Sequence, residues 1–203
     1  MEKDSFKVQK NIVFPVMKRW ADILLSLIGL LMTSLIIIVF AILIKLETPG
    51  PAFFIQKRVG KNGKYFNLIK LRSMCVDAEK NGAQWAQKND PRVTKVGSFM
   101  RKTRIDELPQ FINVLRGNMS IVGPRPERPM FTAQFNEEIP GFINRLSVKP
   151  GLTGWAQING GYEITPYEKL KLDLYYIDNQ SFLMELKIMV KTVRIVLTGN
   201  GAR

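Results

Sequence analysis

From Ile23 to Ile44 the chain reads ILLSLIGLLMTSLIIIVFAILI, about 22 residues without a charged side chain. At about 1.5 Å per residue such a helix just crosses a hydrocarbon layer of about 30 Å, which makes it a membrane-helix candidate. The run is too long for a signal peptide and no small-residue cleavage site follows it, so a buried soluble helix is the alternative. Basic residues stand on both flanks: Lys3, Lys7, Lys10, Lys18 and Arg19 before it, and Lys45, Lys57, Arg58, Lys61 and Lys64 after it. A straight span normally carries that excess on one side only, so the charges favour a re-entrant helix that returns to the face it came from. The points at which such a helix could bend are Gly29 and the Thr33-Ser34 pair.

Beyond this run the pattern changes to that of a soluble domain. TPGP at Thr48 is a rigid turn. AFFIQKRVG and YFNLIKLRSM read as two strands joined by a tight turn, KNGK, with its Asn62-Gly63 pair. Residues Asp77 to Pro91 are polar and read as helix followed by loop. Val93 to Arg104 is a short basic amphipathic helix, suited to a headgroup layer or to a solvated surface. Helical periodicity returns in PYEKLKLDLYYI from Pro166 and FLMELKIMVKTVRIVL from Phe182, the second with a Lys187, Lys191, Arg194 face. The fold class is therefore α+β and α-rich, with a minor sheet and no internal repeat.

Composition restricts the chemistry. The 203 residues carry a net charge of +13, which calls for an anionic partner: a membrane surface, nucleic acid or a phosphorylated substrate. There is no histidine and a single cysteine, Cys75. The commonest general base and the usual zinc ligands are thus absent. Catalysis would run on carboxylates, hydroxyls, lysine, arginine and a metal held by oxygen.

Three stretches could carry such chemistry. RIDELPQF at Arg104 sets two adjacent carboxylates, Asp106 and Glu107, in a cationic chain. One reading makes Asp106 the N-cap of a helix QFINVLRG that closes at Gly117, with Glu107 and Pro109 in its first turn. The other makes one carboxylate a nucleophile and the second a proton carrier, with Mg²⁺ nearby. NMSIVGPRPERP holds Arg125 between two prolines, which suits either a rigid phosphate fork or a solvated turn. VKPGLTGWAQINGG could bring backbone amides and Trp155 to a nucleotide, or could bury Trp155 in a core. No Walker A loop, GxGxxG fingerprint or DxD motif is present.

The ordered blocks KRWAD at Lys18, PGPAFFIQKRVGKNGKYFNLIKLRSM at Pro49, RIDELPQFINVLRGNMSIVGPRPERP at Arg104 and VKPGLTGWAQINGG at Val148 closely resemble the bacterial sugar transferases. These are monotopic polyprenol-phosphate phosphoglycosyl transferases, here in the small single-domain form. The resemblance implies a basic segment over residues 1–17, a membrane-inserted helix over 18–47 and a cytosolic catalytic domain over 48–203, on the cytoplasmic face of the bacterial inner membrane. It implies transfer of a sugar 1-phosphate from a UDP-sugar to undecaprenyl phosphate, with release of UMP and a requirement for Mg²⁺. Asp106 would be the nucleophile and a metal ligand, Glu107 would handle a proton or position the acceptor, and Arg125 would bind phosphate. Lys70 and Arg72, in LIKLRSM, fall in a matching basic block. Membrane lipid is an expected partner, nucleic acid is not, and a homodimer is compatible with the family. One departure concerns the helix: related sequences commonly carry Ser-Pro midway, where this chain has Ser34-Leu35. The competing readings are a membrane-tethered protein that binds anionic lipid or nucleic acid without catalysis, and a membrane glycosyltransferase that releases UDP.

Overall fold

The computed structural model describes residues 13–80, 82, 90–160 and 164–198. Its longest element is α1, Val13–Glu47, 35 residues. The helix is unbroken through Ser34 and Leu35, where a re-entrant break was expected. Without proline, no backbone donor is missing there. The Thr33 and Ser34 hydroxyls turn back onto the carbonyls of Gly29 (2.6 Å) and Leu31 (3.0 Å), a pattern that bends helices without breaking them.

Both described ends of α1 dock onto one body. Near its start, α1 places Lys18 on the Val122 carbonyl and the Glu185 carboxylate, and Arg19 on the carbonyls of Val114 and Leu115. The Asp22 carboxylate is buried and accepts from the Ser120 hydroxyl (3.0 Å) and the Ile121 amide (2.9 Å). At the far end, Glu47 accepts from the amides of Lys95 and Val96. Between them Gly29 lies against the Phe111 ring, where a Cβ would meet the ring at 2.8 Å. The opposite face, with Leu24, Leu31, Met32, Leu35, Ile38 and Ile42, is exposed and mostly apolar.

The domain that α1 lies along starts with the hairpin read from the sequence: β1, Phe53–Val59, pairs antiparallel with β2, Tyr65–Leu71. The turn between them is a single 3-10 turn, and Asn62 and Gly63 take the positive φ values (55° and 76°) that their types tolerate. Period-two alternation turns Phe66, Leu68 and Lys70 to the covered face, opposite Arg58, Gln56 and Phe54. Residues Asp77–Lys80 form a turn, and most of the helix and loop expected over Asp77 to Pro91 falls outside the described residues.

Helix α2, Lys95–Thr103, is capped by Thr94, whose hydroxyl accepts from Gly97. It covers α1 with Met100, Val96 and a Phe99 ring stacked on Phe40. Next come α3, Gln110–Leu115, and β3, Ser120–Val122, then α4, Pro129–Glu138, β4, Gly151–Thr153, and α5, Trp155–Asn159. Strands β3 and β4 pair in parallel, a connection the sequence pattern did not suggest. Helices α6, Pro166–Asp178, and α7, Phe182–Thr198, occupy the two segments expected to be helical. The main core joins Phe66 and Leu68 of β2 to Val114, Met119, Val122, Tyr176 and Ile188.

Because both ends of α1 bind the same domain, both should lie on one side of a bilayer that receives its outer face. A cysteine replacing exposed Val13 in a Cys75→Ser background, and native exposed Cys75, should react with an impermeant maleimide from the same side, comparing protoplasts with inverted vesicles. Labelling from opposite sides would instead establish a straight span.

Candidate active site

Asp106 and Glu107 do not cap α3. They sit in a separate 3-10 turn, Ile105–Glu107, and α3 starts only after Pro109, with no side-chain cap. The reason is local: with Asp106 as N-cap the N3 residue would be Pro109, which has no N–H for the capping carboxylate to accept from. The turn closes on shorter-range bonds, Glu107 N to Arg104 O (3.1 Å) and Leu108 N to Ile105 O (3.2 Å). Arg104 joins this turn to α2 with a left-handed backbone, φ 59°. A conformation so unusual for an arginine turns the chain sharply out of α2 and into the carboxylate pair.

Asp106 is only 6% exposed, and among the described residues its carboxylate accepts no hydrogen bond. Burial and the neighbouring Glu107 charge push its pKa up to about 6, against the opposing pull of Lys70, Arg101 and Arg125. Glu107 behaves differently. Burial would raise it, but Arg125 binds both of its oxygens and holds its pKa at about 2. The two adjacent carboxylates are thereby driven apart: one is poised near neutrality and the other is a fixed anion.

The surrounding cations come from separate elements. Lys70 reaches the pair from β2, lying over the Phe54 ring at 5.3 Å; burial pushes its ammonium pKa down and Asp106 holds it up. Arg101 comes from α2 and Arg125 from the segment after β3. The side-chain amide of Asn113, fully buried on α3, fixes β2 to this group by accepting from Ile69 N (3.0 Å) and donating to Asn67 O (2.7 Å).

Of the residues expected from the sequence, Asp106, Glu107, Arg125 and Lys70 are brought together. Arg72 is not among them. It is buried, and its guanidinium donates to the carbonyls of Pro49 and Thr48 (3.0 Å for Thr48), so it secures the chain where α1 gives way to β1. Trp155 packs on Tyr175, with Lys187 and Lys191 over its ring at 5.3 and 5.8 Å; it belongs to the edge of the core. The end of its block, Gly161, lies outside the described residues. Sequence reading missed Arg101, Asn113, the half-buried Arg58 and the buried Arg145. Only the inward position of Arg58 on an alternating strand could have signalled any of them.

Known proteins resemble this chain over most of its length. A family profile described as bacterial sugar transferase matches residues 13–199. The chain is 48% identical over 194 residues to the UDP-N-acetylgalactosamine-undecaprenyl-phosphate N-acetylgalactosaminephosphotransferase of Aeromonas hydrophila, covering 94% of this chain and 46% of that one. It is 46% identical over 183 residues to the UDP-glucose:undecaprenyl-phosphate glucose-1-phosphate transferase of Escherichia coli K12, covering 88% of this chain and 39% of that one. It is 41% identical over 186 residues to the uncharacterized sugar transferase EpsL of Bacillus subtilis, covering 92% of this chain and 90% of that one. The chain thus spans less than half the length of the first two.

The raised pKa of Asp106 has a stability consequence. Between its ordinary value of 3.8 and about 6 the folded chain holds a proton that the unfolded chain gives up, so stability falls as pH rises through that window and the full penalty is present above it. Asp106→Asn should therefore stabilise detergent-solubilised, metal-free protein at pH 7.5 by about 3 kcal/mol, seen as a higher melting temperature, and the gain should shrink towards pH 4. A lower melting temperature at pH 7.5 would contradict this account of the site.

Proposed function

The chain belongs to the bacterial sugar transferase family, and from that premise we propose that it transfers a sugar 1-phosphate from a UDP-sugar to undecaprenyl phosphate, at the cytoplasmic face of a bacterial membrane, through a covalent intermediate on Asp106. The observation that carries this reading is the Asp106 carboxylate itself: buried, free of hydrogen bonds among the described residues, and flanked by the positive charges of Lys70, Arg101 and Arg125. The names of the Aeromonas and Escherichia relatives support the acceptor and the type of donor.

In the first step an Asp106 oxygen attacks the β-phosphorus of the donor. The bond from that phosphorus to the bridging oxygen breaks, and UMP leaves with the electron pair. Lys70 and Arg125 offset the charge that builds on the phosphates, the term on which phosphoryl transfer chiefly depends. In the second step a phosphate oxygen of the acceptor attacks the same phosphorus and Asp106 departs as a free carboxylate. A phosphate monoester is already largely dianionic at neutral pH, so this oxygen needs little help in losing a proton. Glu107, held at a pKa of about 2 on Arg125, serves to orient that guanidinium rather than to accept a proton.

Magnesium fits this residue set. Among the described residues no cluster of three or more acidic, histidine or cysteine side chains exists. Asp106 would be the protein ligand of the ion, since Mg²⁺ is usually bound by one or two carboxylates together with substrate phosphates. When bound, the ion would neutralise diphosphate charge.

With UDP-sugar and Mg²⁺ but no acceptor, the protein should release UMP in an amount no greater than the enzyme present. Intact-protein mass after acid quenching should show one added sugar phosphate on the peptide that contains Asp106. Asp106→Asn should abolish both signals. Release of UDP in place of UMP would refute the reaction class, and sequential kinetics without an adduct would refute the covalent step. Arg125→Lys should cost about 1.5 to 3 kcal/mol of transition-state stabilisation, roughly 10- to 150-fold in kcat/KM, because an ammonium cannot reproduce the fork.

A further inference from the structure

Four consecutive carbonyls in the segment Pro124–Glu127 are each held by a different donor. Gly151 N donates to Pro124 O (2.9 Å) and Val59 N donates to Glu127 O (3.0 Å). The two central carbonyls are taken by side chains: Arg145 Nη2 donates to Arg125 O (2.8 Å) and Arg58 Nη1 donates to Pro126 O (2.9 Å). Prolines 124 and 126 have no N–H, so the segment has few donors with which to close on itself. Its shape is imposed from outside.

We propose that Arg145, with Arg58 beside it, is a positioning residue for Arg125, setting the aim of the phosphate-binding guanidinium through the backbone without touching substrate. The inference rests on the phosphate-binding reading of Arg125 given above. Arg145 is 2% exposed and Asp173, its partner from α6, is 1% exposed. Arg145 Nε and Nη2 both donate to Asp173 Oδ2, at 2.8 and 2.6 Å, and the guanidinium lies 5.1 Å from the centre of the Phe142 ring. Since two donors of a planar fork are fixed on the carboxylate, the direction of Nη2 towards Arg125 O is fixed as well. Arg58 is similarly constrained: Nη2 donates to Gln56 Oε1 (2.6 Å), and Glu127 stands 3.9 Å from Nη1. Glu127 is in turn paired with Lys169 of α6.

Arg125 is thus held at both ends, its carbonyl by Arg145 and its guanidinium by Glu107. The two holds differ in kind. An incoming diphosphate can compete with Glu107 for the guanidinium, which is 29% exposed, but it cannot reach the buried Arg145–Asp173 pair. The backbone hold therefore persists while the side chain exchanges one anion for another.

Arg145→Met alone would strand a buried carboxylate, so the pair is replaced together as Arg145→Met with Asp173→Leu, an exchange that spares stability in comparable buried pairs. Inorganic pyrophosphate binding by calorimetry and UMP release from UDP-sugar are the readouts, with melting temperature alongside. The double replacement should weaken pyrophosphate binding and kcat/KM by about 10- to 100-fold, the usual effect of a small misplacement. In an Arg125→Ala background it should cause no further loss in either, because the two changes act through one group. An equal further loss in that background, or no loss in the native one, would overturn the proposal. Should the double replacement fail to fold, Arg145→Lys keeps the charge opposite Asp173 while losing the second fixed donor, and carries the same requirement of non-additivity. Wild-type protein that binds pyrophosphate through Arg125 yet forms no UMP would sink the transferase reading and leave the positioning role standing on affinity alone.

Discussion

A buried carboxylate with no hydrogen-bond donor can be ionised only where positive charge is brought to it. Among the described residues Asp106 is such a group, and a second carboxylate follows it directly in the chain. Each surrounding element contributes one part of the answer. Strand β2 turns Lys70 inward, α2 carries Arg101 up to the left-handed joint at Arg104, and the segment after β3 presents Arg125 to Glu107. The small sheets are poor cores in themselves. They make sense as supports that hold a few cations around one turn.

The same constraint explains why α1 does more than anchor the chain. Its inner stripe runs through Asp22, Ser26, Gly29 and Thr33, small or polar residues that let other backbone approach closely. Through Arg19 it satisfies the last carbonyls of α3, and through Asp22 it receives donors from β3. Those two elements carry the chain from the carboxylate turn to Arg125. The spacing between Asp106 and Arg125 is thus referred to a helix whose other face is mostly apolar.

Much of this was legible in the sequence because it is written in local patterns. The Asn62-Gly63 hairpin, α2, α6 and α7 follow from alternation, periodicity and caps. The Asp106, Glu107 and Arg125 grouping followed from the family resemblance rather than from spacing, since Asp106 read locally as an N-cap. Pro109 decided otherwise, because it lacks the amide that such a cap would bond. Arg72 looked equivalent to Lys70 two positions earlier, but β2 ends at Leu71 between them. Only the path of the chain at Thr48 and Pro49 shows that Arg72 is occupied there. The parallel pairing of β3 with β4, and the use of Arg145 on Arg125, join residues 20 or more positions apart with no periodic signature.

The length of α1 has a kinetic meaning for the proposed reaction. At 35 residues it measures about 52 Å, well beyond the hydrocarbon thickness of about 30 Å, and it is fixed along the domain over most of that length. On the proposed placement in lipid, a helix longer than the hydrocarbon thickness has to incline to keep its apolar face covered. The acceptor then never leaves the two-dimensional phase in which it is dissolved. Its effective concentration becomes a mole fraction of the surface, so diluting it with inert lipid or detergent slows transfer even when the amount per millilitre is unchanged.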